Sequence, residues 1–240
     1  MIPREEFDRY DAALTTAARL ARAAVEALLA GSPPPEELAA AYAGLVRTYG
    51  SAAAAAAVEL YRSLRAAQAP PTAYEAVVFQ PDDAGLLAWD AANSASLPDS
   101  SMQRVMGYAD ETLLRNADAD PAHPRWALVP HAGACAWCRL MASQGFVYSS
   151  EASVARHPNC TCTPVVDFDA TSPSLEGYDP SALRDEYLLA RAEVEDAARE
   201  EWAAMSAEQR GAYGAKGRGA YDHFLRNRIV QAMSRDGGEG

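Results

Sequence analysis

Cys135-Ala-Trp-Cys138 and, further along, His157-Pro-Asn-Cys160-Thr-Cys162 hold all four cysteines of the chain and one of its four histidines. A Cys-x-x-Cys pair sets two thiolates on one tight turn, from which both reach a tetrahedral zinc at about 2.3 Å. The second group adds three donors within six residues. Zinc takes four ligands, so the expected set is Cys135, Cys138, Cys160 and either Cys162 or His157. Around these donors, Trp126-Ala-Leu-Val129, Phe146-Val-Tyr148 and Thr163 to Val166 read as short strands bounded by turn residues. Strands this short do not make a core alone. A bound zinc would contribute on the order of 10 kcal/mol of folding free energy. Residues 122–170 are therefore predicted to form a small Cys/His-rich β module, a zinc knuckle, with a β-hairpin between its halves.

Two other uses of the cysteines compete with zinc. An even number allows two disulfides, which a cytosolic origin opposes during synthesis. A redox Cys-x-x-Cys calls for a thioredoxin-like βαβ context, and none is apparent. Trp137, inside the Cys-x-x-Cys, and Trp126 are expected to cover the site, and Leu140, Met141, Phe146 and Tyr148 to pack the module against helices. His131 is a candidate supporting residue beside the first cysteine.

Outward from the module the sequence turns helical on both sides. Phe7, Tyr10, Leu14, Ala17, Ala21, Val25 and Leu28 recur at steps of three and four, the period of an amphipathic helix. Ser32 to Pro35 breaks it, and Glu36-Glu37 charge the first turn of the next, with Leu38, Tyr42, Leu45 and Tyr49 on one face. The Ala-rich stretch from Ser51 to Gln68 is helical by propensity and ends at Pro70-Pro71. Residues 82–118 read as two helices separated by a turn at Leu97-Pro98-Asp99-Ser100. Beyond the module, Asp179-Pro180-Ser181 opens a helix to about Ala204 with Leu183, Tyr187, Ala190 and Val194 on one face. Ser206-Ala-Glu-Gln209 is a capping box, and Tyr221 to Met233 resumes helical spacing. The predicted fold is mainly α: helical regions 1–121 and 171–240 flank the module at 122–170.

Composition sets the function classes. The chain has 240 residues, 49% hydrophobic and 22% charged, with 21 Lys+Arg against 33 Asp+Glu and a formal net charge of −12. That excess of acid opposes a general nucleic-acid coat, which needs surplus cation. No run of about 18 apolar residues suggests a membrane span, and the acidic start lacks the basic and apolar regions of a signal peptide. A soluble protein made in the cytosol is expected.

Taken together, Cys135-x-x-Cys138, Gly145-Phe-Val-Tyr148 and His157-Pro-Asn-Cys160-Thr-Cys162 resemble the hallmark of Mu F-like minor head proteins of tailed bacteriophages. Arg125-Trp-Ala-Leu-Val-Pro130 before the motif and Glu176-Gly-Tyr-Asp-Pro180 after it are similar to the branch found in phages of actinobacteria. Thr161 stands where the family often has arginine, a departure that changes none of the candidate ligands. The resemblance covers roughly residues 125–180. It implies a minor capsid protein of the virion, made in the host cytoplasm and associated with portal and capsid proteins. Its implied roles are head assembly or genome ejection, with no membrane and no catalytic residue.

Two rival functions have residues to offer. Some members of this branch are described as capsid maturation proteases; His123 and His131 are the available bases, and Ser100-Ser101 or Ser149-Ser150 the available nucleophiles. No spacing singles them out, and no Gly-x-Ser-x-Gly is present. Arg210, Lys216, Arg218, Arg226, Arg228 and Arg235 form a C-terminal basic stretch that could meet packaged double-stranded DNA or an acidic face of the portal. The glycines of Gly211 to Gly219 lack the Gly-Lys-Ser/Thr of a phosphate-binding loop.

Overall fold

The computed structural model describes residues 1–70, 72–148, 160, 162–214 and 219–236. The described chain is mainly helical, as the periodicity predicts, and divides into two compact units. The first comprises Met1–Val129 with Phe146–Tyr178, the second Pro130–Gly145 with Asp179–Gly240.

The first unit is built on three long helices, α1 (Arg4–Ala30), α2 (Pro35–Gln68) and α4 (Leu97–Ala119), each packed against the other two. The short helix α3 (Ala84–Asn93) lies against α2 and α4. α1 buries Phe7, Tyr10, Leu14, Ala17, Ala21 and Val25, the face its spacing predicts, while Leu28 is only half-buried. α2 runs unbroken through Gly50 from the Glu36-Glu37 start to the end of the Ala-rich stretch at Gln68. Its buried face is Tyr42, Val46 and Gly50, one residue beyond the predicted Leu45 and Tyr49. Small residues at Gly50, Ala53, Ala54 and Ala57 let α2 approach its neighbours closely, and Val25, Val46, Leu87, Leu97 and Tyr108 fill the adjoining core.

Leu97-Pro98-Asp99-Ser100 is the first turn of α4 rather than a separating turn. Proline is tolerated there because the first N–H groups of a helix lack internal partners. The Ser96 hydroxyl accepts from Asp99 N–H and closes the start. Between α2 and α3, side chains of α4 hold the chain. Asn116 accepts from Val77 N–H at 2.9 Å and donates to Val77 C=O at 2.8 Å. Thr112 does the same for Phe79, both at 3.3 Å. Two side chains of α4 thus satisfy both backbone groups of Val77 and of Phe79.

Three carboxylates buried in this unit share one pattern, a tyrosine hydroxyl and an arginine on each. Asp90 receives Tyr42 and Arg104, Asp83 receives Tyr108 and Arg47, and Asp120 receives Tyr61 and Arg65. Buried charge is costly unless paired and hydrogen-bonded, and here each is both. Burial, with the Asp90 carboxylate beside it, pushes the Tyr42 phenol up.

β1 (Arg125–Val129) and β2 (Thr163–Asp167) pair antiparallel, from Arg125 opposite Asp167 to Val129 opposite Thr163. β2 is buried throughout and packs on α4 and α2. The expected third strand, 146–148, contributes one bridge, Tyr148 to Trp126, with the two rings stacked at 4.5 Å. Burial pushes the Tyr148 phenol up to about 12. Near the chain start, Ile2 is fully buried and pairs in parallel with Leu175.

The second unit holds α5 (Ala136–Ala142), α6 (Pro180–Ala204), α7 (Ala207–Gly211) and α8 (Ala220–Asp236). Asp179 caps α6 by accepting from Ser181 and Ala182 N–H, and Ser206 with Gln209 forms the predicted capping box. Phe224, Leu225, Ile229 and Met233 of α8 pack on Ala190 and Ala198 of α6 and on Ala136 of α5. Trp202 meets Tyr213, Tyr221 and Phe224 edge-on or tilted.

The division into units cuts across the predicted module 122–170. Residues 122–129 belong with the first unit because β1 pairs with β2, while 130–145 belong with the second because α5 packs on α6 and α8. The expected boundaries at 121 and 170 follow the composition of the chain rather than its contacts.

Candidate metal centre

Cys135 and Cys138 stand at the start of α5, so the Cys-x-x-Cys turn is the opening of a helix. Cys135 is the N-cap residue, and its Sγ accepts the Cys138 N–H at 3.5 Å. Arg139, which nothing in the motif marks out, fixes α5 by pairing with Glu186 at 2.9 Å and donating to Met233 C=O at 2.6 Å. Cys160 and Cys162 immediately precede β2, whose buried register with β1 fixes where the chain leaves the sheet.

Cys138 is buried in the second unit, and Cys160 and Cys162 are buried in the first. Four thiolates around one tetrahedral zinc stand about 3.8 Å apart at a Zn–S distance of about 2.3 Å. Soft sulfur donors suit zinc among the common divalent metals. No disulfide joins the four cysteines. Of the five predicted ligands, Cys138, Cys160 and Cys162 are buried. Cys135 is half-buried and one turn away along the chain. His157 lies outside the described residues, as do Thr161 and the Ser149-Ser150 pair.

The residues around the site follow the expected packing in part. Trp126 is buried and stacked on Tyr148, while Trp137 is half-buried with the Arg226 guanidinium over its ring at 6.0 Å. Leu140 and Phe146 are buried, and Phe146 meets Tyr178 edge-on. His131 C=O accepts from Ala134 N–H in the turn before α5.

The proposed nucleophiles that are described occupy a helix start. The Ser100 hydroxyl bonds that of Ser94 at 2.6 Å, and Ser101, fully buried, donates to Pro98 C=O at 2.7 Å. His123 is exposed in a left-handed backbone conformation between α4 and β1.

The basic stretch is largely engaged within its own unit. Arg210 donates to Trp202 and Ala203 C=O, satisfying the last carbonyls of α6. Arg228 pairs with Glu201 and Arg235 with Glu193, the latter at 3.4 Å. These partners lie more than twenty residues away and leave no local trace in the sequence. Lys216 and Arg218 lie outside the described residues. Among the described residues, no helix is long and apolar enough to cross a membrane.

Comparison with known proteins adds one match. No curated protein and no solved structure matches the chain. The family model described as VG15 protein matches residues 1–190, which takes in the helices of the first unit, the sheet and every candidate metal ligand. With that match spanning both cysteine groups and most of the chain, this protein belongs to the VG15 protein family, a family of viral proteins.

Proposed function

We propose that this chain is a minor structural protein of a tailed-phage head, bound near the portal vertex and acting in capsid assembly or genome delivery. The observation that carries the reading is the viral family match over residues 1–190, in which the cysteines and flanking text resemble the Mu F-like motif. The protein does no chemistry of its own. Its partners are portal and capsid proteins, and its place is the virion.

Its cofactor, in this reading, is a structural zinc held by Cys138, Cys160 and Cys162, with Cys135 or His157 completing the set. The buried sulfurs support this, since a structural site is closed whereas a catalytic zinc keeps a position open for water. The ion would hold a thin β region in place.

The engagement of Arg210, Arg228 and Arg235 with carbonyls and carboxylates of their own unit favours a protein partner over packaged DNA. The test is sedimentation of the purified chain with purified portal rings of its phage and, separately, with double-stranded DNA at physiological salt. Association with the ring and none with DNA is expected. Salt-sensitive binding to DNA with none to the ring would replace this reading with a nucleic-acid-binding one.

A further inference from the structure

α6 and α8 pack antiparallel, because Glu193 meets Arg235 at one level and Glu201 meets Arg228 at another. Away from the aromatic core of this unit, the pair forms an open groove floored by Val194, Ala197, Ala198 and Val230. The groove has lips of opposite sign. On α6 the lip is acidic, Glu193 and Glu201; on α8 it is basic, Arg228 and Arg235. Ala197 is exposed and Val194 and Val230 are half-buried, so the floor is wet in a single chain.

We infer that the groove is a self-association surface whose occupant is the same groove of a second copy of this chain. The charge pattern selects the arrangement. A two-fold axis running along the groove sets the α6 lip of one copy over the α8 lip of the other. Because each ion pair already marks one level, that rotation keeps levels matched: Glu193 faces Arg235 of the second copy, and Glu201 faces Arg228 of the second copy. Each two-residue pair becomes a four-residue ring of alternating charge. A two-fold across the groove would instead set acid over acid and base over base. The contact is self-complementary, as a closed dimer requires, and its four helices alternate in direction with an apolar floor between charged lips, the layout of a helix bundle. A foreign helix would need its own alternating charges at the same two levels. The inference stands independently of the phage-head reading.

The test uses the full chain in size-exclusion chromatography with light scattering over a micromolar concentration series. The expected mass at high concentration is twice the 25.6 kDa of one chain. Ala197→Arg, which adds bulk and charge to the exposed floor, returns it to the single-chain mass with helicity by circular dichroism unchanged. In Glu193→Arg/Glu201→Arg both lips are basic; in Arg228→Glu/Arg235→Glu both are acidic. Each alone is expected to weaken self-association by roughly tenfold or more through like-charge contact, and a mixture of the two recovers the doubled mass. Exposed ion pairs contribute little to folding, so these variants are expected to stay folded; if they do not, Ala197→Arg decides alone. A wild-type chain that stays at the single-chain mass overturns the inference, as does a dimer indifferent to Ala197→Arg.

Discussion

The ring of Tyr108 fills the space where a side chain at Gly50 would stand: a Cβ placed there lies 2.6 Å from the Tyr108 Cγ. The ring cannot retreat easily, because its hydroxyl donates to the buried Asp83 at 2.6 Å. α2 can therefore cross α4 closely only with glycine at this position. Gly50→Ala gains up to about 1 kcal/mol of helix propensity but forces an overlap of the kind that costs about 1–3 kcal/mol. Net destabilisation is expected in urea unfolding. Gly44, in the same helix, has nothing within 4 Å of its Cβ position, so Gly44→Ala should stabilise by about 0.5–1 kcal/mol.

Asp120 is fully buried and receives Tyr61, both arms of Arg65 and the Ala122 N–H. Burial raises its carboxyl pKa, and the hydrogen bonds led by Arg65 outweigh this and hold it below the ordinary 3.8. A carboxylate lowered in the folded state stabilises fully above its unfolded value and loses that contribution as pH falls through the folded one. Asp120→Asn removes one partner of a buried pair and should cost about 3–5 kcal/mol at neutral pH. The gap between wild type and variant, read from urea unfolding, should narrow below the ordinary carboxylate range. A gap independent of pH would show that the charge is not what stabilises.

Asn116 is the residue to remove in order to free the segment before α3. Its amide makes two bonds to Val77, one to Thr112 C=O and accepts from Tyr74 at 2.9 Å. At a net of about 1 kcal/mol for each bond, Asn116→Ala should cost about 2–4 kcal/mol. Hydrogen exchange locates the effect: the Val77 amide loses protection in Asn116→Ala, and the Phe79 amide loses it in Thr112→Val. Equal loss across the whole unit in both variants would mean that the segment is not held locally.

Cys138→Ser, Cys160→Ser and Cys162→Ser should each lower bound zinc from one per chain to near none in reduced, purified protein. Strong chelators should do the same to the wild type and lower its thermal midpoint. Zinc retained at full stoichiometry in any of the three would remove that residue from the ligand set. Reduced wild-type protein without zinc would remove the metal.

Periodicity carried most of the helical fold. The face from Phe7 to Val25 is buried as its spacing implies, and Ser206-Gln209 caps as its pattern implies. Pro98 looks like a turn in sequence, yet Ser96 caps a helix whose first turn includes it. Other misreadings come from distant partners. Nothing local says that the residues near Val77 are held by Asn116, thirty-nine positions away. At the candidate site, the density of donors was legible, and so was the pair of strands beside it. That Cys135 would begin a helix was not, because Ala-Trp between cysteines has no distinctive turn chemistry. The arginines after residue 209 looked available as charge because the acids that occupy Arg228 and Arg235 belong to another helix.

Quantitative mass spectrometry of density-purified particles, before and after DNA ejection, tests the central claim most directly. A few full-length copies per particle are expected, with peptides from both sides of the cysteine module and no internal cleavage. Their loss on ejection would mean that they travel with the genome, and their retention that they stay at the vertex. Hundreds of copies, or complete absence from particles whose host cells contain the protein, would contradict a minor head protein.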